Sequence, residues 1–129
     1  MEEKRIEALQ FLTNRYIENV WKHTGIHLLA TGWILSSAQL QLMLAHSTLI
    51  QLGLTIIFAI LQSVHSFINI PIFHLIKKLE VEINDDANGH LAEYYGVSNF
   101  RFILNEVMIA SIALFAVIFI WFSPYSNQG

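Results

Sequence analysis

Residues 23–76, HTGIHLLATGWILSSAQLQLMLAHSTLIQLGLTIIFAILQSVHSFINIPIFHLI, lie between Lys22 and Lys77 and contain no Asp, Glu, Lys or Arg. These 54 residues belong to a chain of 129 residues, of which 54% are hydrophobic and only 13% are charged. A soluble domain of this size keeps much of its surface in water and could not hide so long an uncharged stretch. The stretch therefore predicts an integral membrane protein, with the lipid bilayer as a partner.

As a single helix this stretch would be about 80 Å long, far more than the roughly 30 Å of a hydrocarbon core, so it has to fold back on itself. Residues 45–48, AHST, are the expected hinge, which places two predicted spans at about 24–44 and 49–76. A third span is predicted at 102–122, where Glu106 is the only charged residue. The predicted fold class is an all-α membrane protein with three transmembrane helices.

The remaining segments complete the predicted organisation. Residues 1–22 predict an amphipathic helix, because their apolar side chains recur at helical spacing. This helix lies in the membrane interface, packs on a partner helix, or extends the first span into the cytoplasm. The transmembrane domain then covers 23–123, with a cytoplasmic loop at 77–101 and a short external tail at 124–129.

The basic residues predict the orientation in the membrane. With three spans, the N-terminal segment and the loop between the second and third spans share one side. That side holds all seven basic residues, Lys4, Arg5, Arg15, Lys22, Lys77, Lys78 and Arg101. Because basic residues concentrate on the cytoplasmic side, we expect a multi-pass protein of an inner or plasma membrane with its N terminus in the cytoplasm and its C terminus outside.

Six polar residues of the second predicted span share one face of a helix. They form what we call the polar stripe: Gln51, Thr55, Gln62, His65, Ser66 and Asn69. Lipid offers no hydrogen-bond partners, so the polar stripe is expected to face another helix, a cavity or a partner subunit. Interhelical hydrogen bonding is the simpler interpretation, and a lined pathway or ligand pocket is the functional one.

The first predicted span carries small residues on one face, with Gly25, Gly32 and Ser36 at helical spacing. The spacing of Gly32 and Ser36 is the small-xxx-small pattern that lets two membrane helices approach closely. We expect this face to pack against the second span or against a second protomer.

Two histidines and the one charged residue within the spans fall near the same predicted membrane boundary. Counted from the nearest basic residue at about 1.5 Å per residue, His27, His74 and Glu106 all lie roughly 5 to 8 Å inside it. Together they could hold a metal ion or relay protons; alternatively, they snorkel to water. Glu106 is the strongest functional candidate because an ionisable group inside a span is costly, and His27 or His74 is its expected partner.

His65 differs from these residues because it falls near the predicted bilayer midplane. We expect a buried neutral histidine that is hydrogen-bonded to a neighbouring helix. The alternative is an axial ligand of haem b, for which His27 and His74 are the other candidates.

In plan, with three predicted spans, histidines within them and a comparable size, the chain is similar to the three-span membrane anchors of succinate dehydrogenase. The resemblance implies a subunit that can bind haem and quinone. It covers the architecture and not the histidine and arginine pattern of those anchors.

The sequence shows no motif typical of catalysis, and the lack of cysteine excludes disulfides, thiolate metal sites and a cysteine nucleophile. A formal net charge of −3 argues against nucleic-acid binding. We therefore expect a non-catalytic scaffold or accessory subunit, without a cofactor, that oligomerises or docks on a larger membrane complex. The alternatives are a haem b or quinone anchor subunit of a redox complex and a homo-oligomeric pore or transporter lined by the polar stripe.

Overall fold

The computed structural model describes residues 2–84 and 95–122, and within these ranges the chain is helical with short connections and no β-strand. Its helices are α1 (Glu2–Ser36), α2 (Ala38–His46), α3 (Thr48–Asn84) and α4 (Asn99–Phe122). The predicted all-α fold class is confirmed for this part of the chain. The middle of the predicted loop, 85–94, and the predicted tail at 124–129 lie outside the described residues.

Two of the described helices, α3 and α4, are long and apolar enough to cross a membrane. A third crossing arises only if α1 and α2 together form one span, because their axes are bent by 80° at the junction. The described chain thus has two to three candidate membrane spans, which is the composition of a membrane protein.

The first predicted span is not a single helix, which corrects the sequence-based expectation. Ser37 has an extended backbone, with φ −92° and ψ 97°, and its hydroxyl oxygen accepts a hydrogen bond from the N–H of Leu40 at 3.2 Å. This N-cap begins a new helix. The side-chain amide of Gln41 donates to the carbonyl oxygens of Ile34 and Leu35 at 3.2 and 2.7 Å. Those carbonyls lie in the last turn of α1, where the helix has no backbone donors left for them.

The N-terminal segment is also not a separate helix. Because α1 runs without a break from Glu2 to Ser36, residues 2–22 extend the helix that enters the first predicted span. Of the three initial interpretations, a helical extension of the first span agrees with this continuity.

The turn between the first two predicted spans lies where the sequence predicts it. Helix α2 ends at His46 and α3 begins at Thr48. Between them, the hydroxyl oxygen of Ser47 accepts a hydrogen bond from the N–H of Ile50 at 3.3 Å. Ser47 therefore begins α3 in the same way that Ser37 begins α2.

Helix α3 continues to Asn84, so the first part of the predicted loop 77–101 is helical, which is a second correction. The ammonium group of Lys77 lies 2.6 Å from a carboxylate oxygen of Glu80, one turn further along the helix. The other carboxylate oxygen of Glu80 accepts a hydrogen bond from the backbone N–H of Val97 at 3.1 Å. Charge pairs at this spacing support a helix, so charged residues that mark the end of the apolar run do not mark the end of the helix.

The helices contribute to two compact units. Apart from residues outside the described ranges, unit 1 consists of Met1–Lys22 and His65–Glu106, and unit 2 of His23–Val64 and Val107–Gly129. Among the described residues, every Lys, Arg, Asp and Glu falls within unit 1, and none falls within unit 2. The division by compactness is therefore also a division by charge.

Each unit has apolar packing of its own. In unit 1, the ring of Phe73 in α3 stacks on that of Phe102 in α4, with centroids 4.0 Å apart, and the ring of Tyr16 in α1 lies 6.1 Å from that of Phe102. In unit 2, the buried core consists of Ile34, Leu40, Leu44, Phe58, Ala113, Ala116 and Ile120. All four helices contribute to that core.

Candidate functional site

A contact between a histidine of α3 and a carboxyl group of α4 joins His65 to Glu106 in unit 1. The Nε2 atom of His65 lies 2.9 Å from Oε1 of Glu106, and the hydroxyl of Ser66 donates to Oε2 at 3.3 Å. The His65 side chain is fully buried, whereas that of Glu106 is 19% exposed. Both oxygens of the one carboxyl group in the third predicted span are therefore engaged by α3.

Asn69 extends this cluster by one helical turn. Its side-chain nitrogen Nδ2 lies 3.0 Å from Nδ1 of His65. With the amide as donor, Nδ1 of the imidazole accepts and Nε2 carries the proton that is donated to Glu106. The amide oxygen of Asn69 is buried and has no hydrogen-bond partner among the described residues. We call His65, Ser66, Asn69 and Glu106 the polar cluster.

The sequence correctly marks Glu106 as a residue that needs a partner, but the predicted partners are wrong. Neither His27 nor His74 takes this role, which belongs to His65 and Ser66. The prediction assumed that Lys77 and Arg101 lie at the same membrane depth. The stacking of Phe102 on Phe73 shows a different alignment of α3 and α4, which brings Glu106 one turn later to the polar face of α3.

The predicted metal site at His27, His74 and Glu106 is not formed. Within residues 2–84 and 95–122, no group of three or more His, Cys, Asp or Glu side chains is arranged to hold a metal ion. His74 is exposed on α3, while the carboxyl group of Glu106 contacts His65 and Ser66. Side chains that share a predicted depth can still lie on different faces of their helices.

The three histidines considered as haem ligands occupy different surroundings. Both ring nitrogens of His65 have hydrogen-bond partners in the polar cluster. His27 is buried in unit 2, where Nδ1 lies 2.7 Å from the carbonyl oxygen of His23 and the ring lies edge-on to Phe58. His74 is exposed. None of these contacts favours haem as a ligand.

The polar stripe faces α4 in unit 2 as well. The side-chain amide of Gln51 donates to the carbonyl oxygen of Ile120 at 3.2 Å. The hydroxyl of Thr55 donates to the carbonyl oxygen of Gln51 at 2.8 Å and accepts a hydrogen bond from the indole N–H of Trp121 at 3.0 Å. The side-chain oxygen of Gln62 is buried and has no partner in the described part of the chain. The contacts of Gln51 and Thr55 with α4 are interhelical hydrogen bonds, which is the simpler of the two interpretations of the polar stripe.

The small-residue face of α1 does not form the close contact within the chain that the sequence suggests. A Cβ atom added at Gly25 or at Gly32 would meet nothing within 4 Å. Gly32 and Ser36 are both exposed. The expectation that this face packs closely against the second span is therefore wrong. Packing against a second protomer stays a prediction.

Beside Gly32, helices α1 and α4 form an open groove in unit 2, which we call the α1–α4 groove. It has a volume of about 430 Å³ and contains no charged residue. Its lining residues are Leu28, Thr31, Gly32, Leu35, Ser111, Ile112 and Phe115. Thr31 is only 6% exposed, and its hydroxyl has no hydrogen-bond partner among the described residues. The sequence carries no signal for this feature, because a helical threonine ordinarily bonds to a carbonyl of the preceding turn.

Tyr16 is a titratable residue outside the predicted spans whose pKa is perturbed by its surroundings in unit 1. Burial raises the pKa of the Tyr16 phenol, and the hydrogen bond that its oxygen accepts from the side-chain amide of Asn105 at 3.2 Å opposes this shift. The contact is a polar link between α1 and α4 within unit 1. The phenol is fully buried, so this link is structural.

No protein-family model, no curated protein and no solved structure matches the chain. The features of the molecule that bear on function are the polar cluster, the α1–α4 groove and the distribution of charge.

Proposed function

We propose that this chain is a small, non-catalytic integral membrane scaffold that associates with a second copy of itself through the α1–α4 groove. The observation that carries the proposal is the buried hydroxyl of Thr31, which has no hydrogen-bond partner in residues 2–84 and 95–122 and belongs to a groove with the exposed Gly32 at its surface. Lipid chains can cover apolar side chains but cannot accept a hydrogen bond. A second protein helix supplies both the apolar contact and the acceptor.

The shape of the groove favours a second copy as the occupant. Gly32 and Ser111 leave room along the groove, whereas Leu35 and Phe115 have exposed side chains beside it. A twofold interface uses the same patch on both subunits, so each patch needs both projections and depressions. The α1–α4 groove has both, and its lack of charge allows two copies to meet without repulsion.

The small-residue spacing agrees with this arrangement. Gly32 and Ser36 are one turn apart, which is the pattern that lets the backbones of two membrane helices approach closely. Because a Cβ at Gly32 would meet no described residue within 4 Å, the packing of the single copy does not require a small residue there. Association of two copies would explain why position 32 is a glycine although the single copy has room for a larger side chain there.

Replacement of Gly32 by isoleucine tests the proposal. We expect the wild-type protein to be a dimer in mild detergent and the Gly32→Ile variant to dissociate at least about tenfold more readily, because the side chain fills the groove. The measurement is sedimentation equilibrium over a range of protein concentrations. Gly53→Ile is the matched control: Gly53 is also helical, exposed and without a neighbour within 4 Å, but it lies on α3 outside the groove.

A monomeric wild-type protein, or equal association of the two glycine variants, would contradict the proposed dimer. Thr31→Val provides a second variant that keeps the side-chain shape. The monomer loses no hydrogen bond in this variant, so its folding stability should not fall, whereas association should weaken by several-fold. A Thr31→Val protein that associates as the wild type does would show that the hydroxyl is not used.

The proposed orientation is N terminus in the cytoplasm and C terminus outside, in an inner or plasma membrane. Support comes from the confinement of all seven basic residues to unit 1. Basic residues near the ends of membrane spans stay on the cytoplasmic side. This orientation requires three crossings, with α1 and α2 acting as one bent span.

A further inference from the structure

A second cleft lies in unit 1 and shares no lining residue with the α1–α4 groove. It has a volume of about 300 Å³ and lies between α1 and the residues that begin α4. Its lining residues include Gln10, Thr13, Asn14, Ile17, Gly96 and Arg101. This volume is at the lower end of the range found for ligand pockets and is sufficient for one small polar group.

Thr13 supplies the first indication that the cleft is built to bind something. The residue is only 7% exposed, and its hydroxyl has no hydrogen-bond partner among the described residues. A buried hydroxyl without a partner costs about 1–3 kcal/mol, so a ligand that accepts its proton recovers that cost. Thr13 is one of the residues that line the cleft, so a ligand bound there would lie next to it.

Arg101 supplies the second indication, because it brings positive charge to the same cleft. Its guanidinium group forms no ion pair with any described carboxylate, whereas Lys22 and Lys77 in the same unit pair with Glu18 and Glu80. The cleft has no Asp or Glu among its lining residues. The combination of a guanidinium group and neutral donors suits an anion and gives a cation no ligand of opposite charge.

The side-chain amides of Gln10 and Asn14 complete a set of neutral donors around Arg101. A guanidinium fork matches the spacing of two oxygens on a phosphate group, which makes arginine the usual residue for phosphate recognition. Hydroxyl and amide donors add hydrogen bonds to the remaining oxygens. Ile17 provides an apolar wall on which the carbon atoms attached to a phosphate can lie.

The position of the cleft in the sequence indicates where such a phosphate would come from. Arg101 immediately precedes the apolar run 102–122 that predicts the third span. The cleft therefore lies near the membrane boundary, on the side that holds all the basic residues. Basic pockets between transmembrane helices on the cytoplasmic side are typical binding sites for anionic lipid headgroups.

From these observations we infer that the cleft between α1 and the start of α4 binds a phosphate group, carried either by an anionic phospholipid headgroup or by free inorganic phosphate. Arg101 binds two phosphate oxygens, and the hydroxyl of Thr13 donates to a third. The inference does not depend on the proposed dimer, because none of its residues lines the α1–α4 groove.

Native mass spectrometry of the full chain in detergent, titrated with phosphatidylglycerol, tests this inference. We expect Arg101→Gln to weaken phosphatidylglycerol binding at least about tenfold, because a charge-assisted double hydrogen bond is lost. Thr13→Val should weaken it about threefold to tenfold, because one hydroxyl donor is lost. Arg15→Gln is the control, because Arg15 is an exposed arginine of the same unit that does not line the cleft. It should change binding less than twofold.

Separate arms distinguish the source of the phosphate. Stronger binding of phosphatidylglycerol than of phosphatidylcholine assigns an anionic headgroup, and equal binding that Arg101→Gln abolishes assigns the phosphate group shared by both lipids. Thermal stabilisation of lipid-free protein by inorganic phosphate, but not by sodium chloride of equal ionic strength, assigns free phosphate. The inference is overturned if none of these probes binds the wild type, or if Arg101→Gln and Thr13→Val bind as Arg15→Gln does. The melting temperature of Thr13→Val should not fall, which separates lost binding from lost folding.

Discussion

At the scale of single residues, the contact between His65 and Glu106 is the feature that most constrains the arrangement of α3 and α4. The imidazole of His65 is fully buried, and the carboxyl group of Glu106 is mostly buried. Lipid offers no partner that could replace the hydrogen bond between them. The contact is directional, because Asn69 determines which imidazole nitrogen carries the proton. The polar cluster therefore favours one rotation of α3 relative to α4 within unit 1.

Replacement of His65 tests this role. We expect His65→Leu to reduce the free energy of unfolding by about 3 kcal/mol, because the carboxyl group of Glu106 loses its buried partner. The double variant His65→Leu/Glu106→Leu should recover part of that loss, with a coupling energy of about 1–3 kcal/mol. The measurement is unfolding in mixed micelles of mild detergent and dodecyl sulfate.

His74→Leu is the matched control, because His74 is an exposed histidine on the same helix. Its unfolding free energy should stay within about 0.5 kcal/mol of the wild-type value. Strictly additive effects of the His65 and Glu106 substitutions would show that the two side chains do not stabilise each other.

Sequence reasoning reaches part of this site. Helical periodicity identifies the polar stripe as one face of α3, and the cost of a charge inside a span marks Glu106. The pairing of Glu106 with His65 could not be predicted, because it depends on the alignment of α3 and α4 along their axes. The stacking of Phe73 on Phe102 sets that alignment. The sequence alone does not indicate which aromatic residues of two apolar segments will contact each other.

At the scale of the helices, the junction of α1 and α2 differs most from expectation. A chain that bends by 80° inside an apolar segment exposes backbone carbonyls of the ending helix. Gln41 donates to two of these carbonyls, and Ser37 caps the new helix. A glutamine and a serine thereby replace the backbone hydrogen bonds that a straight span would have made.

Replacement of Gln41 by leucine should destabilise the bend. We expect Gln41→Leu to lower the unfolding free energy by about 1–3 kcal/mol, because two carbonyl groups of α1 lose their donor. Gln39→Leu is the control, since Gln39 is exposed on the same short helix, and its effect should stay within about 0.5 kcal/mol. If the two leucine variants are equally stable, the Gln41 amide does not support the bend.

Composition predicts that the helices exist better than it predicts where they begin and end. Apolar runs identify α3 and α4, and the polar sequence AHST locates the break between α2 and α3. The continuation of α3 to Asn84 escapes the hydropathy pattern, because the ion pair of Lys77 with Glu80 supports helix beyond the apolar run. The hydropathy pattern does not predict the bend at Ser37 either, because the side chains that stabilise the bend are uncharged.

At the scale of the whole molecule, the separation of charge is the main property. In the part of the chain that the structure describes, unit 2 contains no Lys, Arg, Asp or Glu, whereas unit 1 contains all of them. Sequence reasoning predicts this separation because the charged residues cluster in the linear sequence. What the sequence does not show is whether α1 and α2 cross the membrane as one bent span or return to the side they entered from.

Cysteine labelling answers the question of topology. The chain has no cysteine, so single variants can be labelled without background. Ser47 and Ser98 are a matched pair, because the hydroxyl oxygen of each accepts a hydrogen bond from a backbone N–H in the first turn of the following helix. We expect Ser47→Cys to react with an impermeant maleimide from outside intact cells and Ser98→Cys only after permeabilisation. The reverse result, with Ser98→Cys labelled from outside and Ser47→Cys only after permeabilisation, is expected if α1 and α2 form a re-entrant segment and the N terminus is cytoplasmic.

Disulfide cross-linking in the native membrane tests the central claim of self-association most directly. Ser36 is exposed one turn after Gly32 on the small-residue face of α1, while Ser63 is an exposed serine of α3 outside the α1–α4 groove. Under mild oxidation, Ser36→Cys should form a covalent dimer, because the closest approach of two helices lies at their small residues. Ser63→Cys should form no covalent dimer. Absence of a Ser36→Cys dimer, or equal cross-linking of both variants, would contradict the account.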